Sequence, residues 1–178
     1  MDSKWRQSAW TAGAWRPWLT DHGSLTRRLT LACPSFRVQR LSQRLEQPMH
    51  DELRPLDLHP GRLAMVREVL LLCGDTPLVF AHSVIPCGGL RGPWVGLSGL
   101  GHRPLGAALF ADPRIRRHPL EFRLLDRRHP LYRRAALHLP AAPATLWARR
   151  SRFVLKGRAL MVTEVFLPAT QTLTETTP

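Results

Sequence analysis

The sequence predicts an α+β fold: a single antiparallel β-sheet with helices packed on one side of it. Three observations carry this expectation. Apolar and polar residues alternate through "SFRVQRL" and "LMVTEVFL", the two-residue period of strands with distinct faces. Neighbouring runs are separated by short turn signals, "GDTP" and Lys156-Gly157, which join antiparallel strands. Helix-like segments are few and short, and open at recognisable starts, Ser24 and Pro104.

Taken in order, the chain opens on an arm over about residues 1–14. Trp5, Trp10, Trp15 and Trp18, four of the six tryptophans, cluster here, and packing of their rings on the domain is the expected use. "SLTRRLTLAC" follows as a short helix capped by Ser24, with Leu25, Leu29 and Leu31 on its apolar side. "SFRVQRLSQRLEQP" reads as a strand and "DELRPLDLHPG" as a loop or lid. "LAMVREVLLLC" and "LVFAHSVIP" form a strand pair around "GDTP". The glycine-rich "CGGLRGPWVGLSGLGHRPLGAALF" is a loop ending in a helix that presents Leu105, Ala108 and Leu109 on one face. "EFRLLDRR" and "YRRAALHLP" are read as strands. "LWARRSRFVLKGRALMVTEVFLP" supplies two more, and a disordered tail is expected over about 170–178.

The composition excludes several classes. A chain of 178 residues with 44% hydrophobic content suits one domain, residues 1–178, with a real core. The formal net charge of +13 raises nucleic acid as a partner. The positive charge is nearly all arginine, scattered in pairs with no continuous basic run, so nucleic acid is not expected. No run approaches the length of a membrane span and no secretory signal is read, so a cytoplasmic protein without membrane insertion is predicted. Cys33, Cys73 and Cys87 are an odd set without a CxxC pair; neither a disulfide framework nor an oxidising compartment is expected. The histidines show no HxxxH or HxH spacing, so no metal is expected. Ser98 in "VGLSGL" lacks the GxSxG pattern of a nucleophile elbow, and the glycines lack phosphate-loop spacing.

Two strand-embedded charges are the informative residues. Arg67 shares a face with Met65, Val69 and Leu71, while Glu68 shares the other with Val66 and Leu70. Glu164 shares a face with Leu160, Val162 and Phe166. A buried charge without a partner costs on the order of several kcal/mol, so each needs a counterpart. One solution is structural: an Arg67–Glu164 pair, or Glu68 with an arginine, across neighbouring strands. The other is a closed pocket in which Arg67 clamps a ligand carboxylate and Glu164, its acidity weakened by apolar surroundings, meets a hydroxyl.

Three blocks, "VREVLLLCGDTPLVFAHSVIP", "GPWVGLSGLGHRPLGAALF" and "WARRSRFVLKGRALMVTEVFLPA", together resemble the chorismate pyruvate-lyase family, as does the shorter "SLTRRL". The resemblance implies a single antiparallel sheet with its ligand enclosed beneath helical flaps. It implies conversion of chorismate to 4-hydroxybenzoate and pyruvate, at the head of ubiquinone biosynthesis, without a cofactor. By motif, Arg67 corresponds to the ligand-carboxylate arginine, Leu105 to a backbone contact, and Glu164 to the acid facing the ring hydroxyl. Leu25 falls where the family often has methionine. Arg67 and Glu164 are thus the candidate catalytic residues, and Leu25, Arg67, Leu105 and Glu164 the candidate substrate contacts. The segment from about 114 to 145 is longer than in relatives. A monomer is expected. The competing reading is a non-catalytic binding module like the effector domains of GntR-type regulators, which the absence of a helix-turn-helix pattern before Arg67 disfavours.

Overall fold

The computed structural model describes residues 4–97, 99, 101 and 103–173; Ser98, His102 and residues 174–178 of the expected tail lie outside it. Seven strands form one antiparallel sheet: β1 (Phe36–Glu46), β2 (Ala64–Cys73), β3 (Thr76–Pro86), β4 (Arg116–Arg117), β5 (Glu121–Asp126), β6 (Thr145–Leu155) and β7 (Arg158–Phe166). The lateral order is β1-β2-β3-β7-β6-β4, with β5 also pairing β6. Strand β2 is buried along almost its whole length, as a strand covered on both faces must be. Strand β1, at the edge, keeps an irregular, half-exposed pattern.

Two tight hairpins set the register. Cys73 pairs with Thr76 around Gly74-Asp75, and Leu155 pairs with Arg158 around Lys156-Gly157. Lys156 and Gly157 have φ of 48° and 72°, the left-handed values of a two-residue turn whose twist matches the strands it joins. That register places Arg149 opposite Glu164 and Ser151 opposite Val162.

Helices cover both faces of the sheet, not one. On the front lie α1 (Arg16–Thr20), α2 (Leu25–Ala32) and α5 (Leu105–Ala111). Trp18, Leu19, Leu25 and Leu29 pack with Val69, Leu71, Val79 and Phe166 there, and Leu105 and Leu109 with Ile85, Phe153 and Leu160. Ser24 caps α2 by accepting from the Arg27 N–H at 3.3 Å. Leu31, expected on the apolar side, is exposed, because Leu25 and Leu29 alone span the face turned to the sheet. At the sheet's end sits the short α4 (Cys87–Leu90).

The back is covered by α3 (His50–Leu53) and α6 (Pro130–Ala136). Both correct the reading of the sequence. "DELRPLDLHPG" contributes the end of α3 and a 3-10 turn, Arg54–Leu56, rather than only loop. "YRRAALHLP" is not a strand: His129 accepts from the Leu131 N–H at 3.2 Å and Pro130 stands at the first helical position, so the segment starts as a helix. This helix belongs to the longer segment and packs Leu131, Tyr132 and Ala135 onto Phe80, Leu125 and Val165. Residues 170–172, assigned to the tail, lie instead in a 3-10 turn, Pro168–Thr172, whose Thr170 hydroxyl donates to the Leu78 carbonyl at 2.5 Å.

The back face also solves the problem posed by Glu68. Its Oε1 lies 3.0 Å from His82 Nδ1 and accepts from Arg134 Nη1 of α6 at 2.5 Å. On its far side His82 Nε2 stands 3.1 Å from Glu52 of α3. Burial alone would raise the Glu68 carboxyl, but the bonds from His82 and Arg134 outweigh it and bring it down to about 2. Burial alone would lower the His82 imidazole; Glu52 and Glu68 outweigh that and hold it at about 9.

Cys33 and Cys73 form a disulfide, contrary to the expectation from cysteine count. The odd number is accounted for by Cys87, which stays free. No spacing motif announces the pair: Cys33 caps the C-terminus of α2, and Phe36, three residues on, pairs with Cys73 in the sheet. The bond closes a separation of 40 residues, which by loop entropy stabilises by about 4 kcal/mol. Dithiothreitol should therefore lower the urea midpoint of the wild type and leave Cys33→Ser/Cys73→Ser unchanged; equal midpoints with and without reductant would contradict the bond.

The stability His82 contributes is complete below its ordinary value of 6.5 and is lost as pH rises toward about 9. That from Glu68 is complete above 4.5 and is lost as pH falls toward about 2. Stability to urea should fall on both sides of that window, and His82→Gln should remove the alkaline fall. A parallel alkaline decline in wild type and variant would show that the network is not its source.

Candidate active site

The front face of the sheet carries an enclosed pocket beneath α2 and α5, and its floor can be read from the register. One transverse row runs Arg67, Ser83, Val162, Ser151 across β2, β3, β7 and β6. The next row runs Val69, Ala81, Glu164, Arg149. Arg117 of β4 pairs with Phe153, one row further along, and its side chain reaches back to the first row, Nε donating to the Ser151 hydroxyl at 3.1 Å. The roof is Leu25 and Thr26 of α2 with Leu105, Gly106 and Leu109 of α5. The two helices touch closely: a Cβ on Gly106 would stand 3.0 Å from the Thr26 hydroxyl, so glycine allows the flaps to meet.

All four residues singled out in the sequence line this one cavity. Arg67 is 5% exposed and does not pair with Glu164. Its Nη2 donates to the carbonyls of Gly101 and Arg103, both at 3.1 Å, which ties the loop before α5 to the sheet. Its Nε is buried without a partner among the described residues. A buried guanidinium N–H without an acceptor is costly, and a carboxylate is the group that would satisfy it. Burial, and then the nearby Arg40 charge, lower the Arg67 guanidinium from its ordinary value.

Glu164 has a partner that the sequence reading missed. Arg149, directly across on β6, donates Nε to Glu164 Oε2 at 2.5 Å. The carboxylate is therefore not isolated among Val162 and Phe166; one oxygen is already taken by a guanidinium. Arg149 is 1% exposed and spends Nη1 on the carbonyls of Trp18 at 2.9 Å and Asp21 at 2.8 Å. A signal for it was present: in "WARRSRF" the two-residue period puts Arg149, Ser151 and Phe153 on one face, away from Arg150.

Leu25 and Leu105 are the first residues of α2 and α5, so their backbone N–H groups have no intrahelical acceptor. Both side chains are buried. Among the described residues the charged lining totals three guanidiniums, Arg67, Arg117 and Arg149, against the single carboxylate of Glu164, an excess of two positive charges. The cavity is shaped for an anion with an apolar body. Among the described residues no group of three or more His, Cys, Asp or Glu is placed to hold a metal ion, and no helix is long and apolar enough to cross a membrane.

Comparison with known proteins bears on the fold and on the family. In solved structures the fold recurs in the effector domain of PhnF from Mycobacterium smegmatis, with a TM-score of 0.56, 14% identity, and coverage of 82% of this chain and 89% of that one. It recurs too in the ligand-binding domain of a putative GntR-family regulator from Bordetella bronchiseptica, with a TM-score of 0.54, 18% identity, and coverage of 75% and 84%. At such identities the likeness concerns the fold alone. Sequence relatives are much nearer. A probable chorismate pyruvate-lyase from Aromatoleum aromaticum is 56% identical over 155 residues, 86% of this chain and 84% of that protein. One from Methylobacillus flagellatus is 44% identical over 169 residues, 95% of each. The family profile described as chorismate lyase matches residues 3–176, and the chain belongs to the chorismate lyase family.

Proposed function

We propose that the pocket converts chorismate to 4-hydroxybenzoate and pyruvate, with Arg67 holding the ring carboxylate and Glu164 acting at the ring hydroxyl. The observation that carries this reading is the pairing of an unsatisfied, buried Arg67 Nε with a carboxylate two strands away, across an apolar floor of Val69, Ala81 and Val162. A flat ring bearing a carboxylate at one end and a hydroxyl at the other matches that separation. The N–H groups of Leu25 and Leu105 add neutral donors at the roof.

The reaction needs little covalent chemistry from the protein. The ether bond at C3 breaks, its electron pair leaving with the enolpyruvyl oxygen; the C4 proton leaves the ring, which becomes aromatic. That proton ends on the methyl carbon of pyruvate. Orientation and exclusion of water are the protein's main contributions. Arg149 bears on the role of Glu164: a carboxylate whose Oε2 already accepts a guanidinium N–H is set to accept through Oε1 rather than to donate. Glu164 thus receives the C4 hydroxyl, or the C4 proton itself. Because Arg67, Ser83 and Ser151 are all below 6% exposed, substrate enters only when α2 and α5 part. The same reading makes the chain a cytoplasmic monomer whose product serves ubiquinone biosynthesis.

The test is direct. Purified protein in EDTA should consume chorismate and release equal amounts of 4-hydroxybenzoate and pyruvate; binding without product would favour the module reading. Arg67→Ala should lose roughly 100-fold or more in kcat/KM and bind product more weakly. Glu164→Gln keeps shape and loses the anion. A fall in kcat with product affinity nearly retained supports proton acceptance, and unchanged turnover would limit Glu164 to holding the ligand.

A further inference from the structure

Chorismate has two carboxylates, and the reading above uses one. The excess of two positive charges in the pocket therefore leaves a second anion to place. We propose that Arg117 receives the carboxylate of the enolpyruvyl side chain, so that it selects substrate over product; this rests on the reading of the pocket as a chorismate lyase site.

Of the two remaining arginines, Arg149 is committed to Glu164 and to backbone carbonyls. Arg117 is not. Its Nε donates to the Ser151 hydroxyl at 3.1 Å and its Nη1 to the His22 carbonyl at 2.7 Å, both neutral acceptors. Among the described residues no salt bridge engages it. Its guanidinium lies 5.3 Å from the ring centre of Phe110 and 5.4 Å from that of Phe153, so aromatic faces hold it while its edge stays available. Burial, then the charge of Arg149, lower its guanidinium from the ordinary value, while Glu164 and Asp21 only partly compensate. An incoming carboxylate relieves that repulsion.

Position supports the same assignment. Arg67 on β2 and Arg117 on β4 flank the pocket with β3, β7 and β6 between them, four strand spacings or about 19 Å at the backbone. Long side chains reaching inward from both edges leave room for one substituted ring. With the ring carboxylate on Arg67 and the hydroxyl on Glu164, the C3 ether points on toward β4. A cation there also steadies the charge that builds on the leaving enolpyruvate. Nothing in the residue pattern announces Arg117, because a two-residue strand shows no period.

The test separates substrate from product. Arg117→Met keeps length and apolar cover but removes the charge. It should lower kcat/KM for chorismate by about 10- to 100-fold while the Kd of 4-hydroxybenzoate, measured by calorimetry, moves less than about threefold. Arg117→Lys should recover part of the loss. Retained product binding shows that the pocket is folded. Parallel loss of substrate and product binding would overturn the assignment and make Arg117 a structural support of the roof; so would unchanged kinetics. A wild-type protein inert toward chorismate would instead sink the reading of the pocket as a whole, and this assignment with it.

Discussion

The ion pair between Arg149 and Glu164 is the contact on which the site depends. Truncating either partner leaves the other unpaired: Arg149 is almost fully buried, and outright removal of one side of such a pair costs on the order of 3–5 kcal/mol, whereas glutamine at Glu164 keeps an acceptor for Arg149. The hairpin turn at Lys156-Gly157 sets the register that makes them face each other. From there the same guanidinium reaches the carbonyls at the end of α1, which the helix leaves unsatisfied. The chain is thereby brought over the sheet just before Ser24, and the cap at Ser24 starts α2 with Leu25 at the cavity. One side chain holds the candidate acid, closes a helix end and positions one flap.

The two faces of the sheet use similar residues to opposite ends. On the back, Glu68, His82, Glu52 and Arg134 neutralise one another and fasten α3 and α6 to the strands. On the front, three arginines face one carboxylate. Adjacent residues on β2 show the division: Glu68 is satisfied within the protein, whereas Arg67 keeps a buried Nε without an acceptor. Left unbalanced, the front face is costly until an anion arrives, as expected of a binding site rather than a core.

Much of this was legible from sequence because it depends on short-range pattern. The two hairpins, the capped start of α2 and the start of α5 are local, and so is the alternation that put Arg67 and Glu164 on their faces. What escaped depends on long-range register. Glu164 clearly needed a partner, but choosing Arg149 over Arg67 required knowing that β3 separates β2 from β7. The Cys33–Cys73 bond is made by the β1–β2 pairing, which no cysteine spacing encodes. The helix α6 is not legible in "YRRAALHLP" itself, because its start is set by the cap and the proline that precede that stretch. The family resemblance, carried by three blocks, named the candidate contacts without revealing what holds them.

Ligand polarity in the pocket should run from Arg67 to Glu164. It is tested most directly by a crystal structure with 4-hydroxybenzoate bound. The carboxylate should lie on Arg67 Nε and the hydroxyl at hydrogen-bond distance from Glu164, with Glu164 Oε2 still held by Arg149. A ligand lying the other way round, with its carboxylate on Arg117 or Arg149 and its hydroxyl at Arg67, would contradict it.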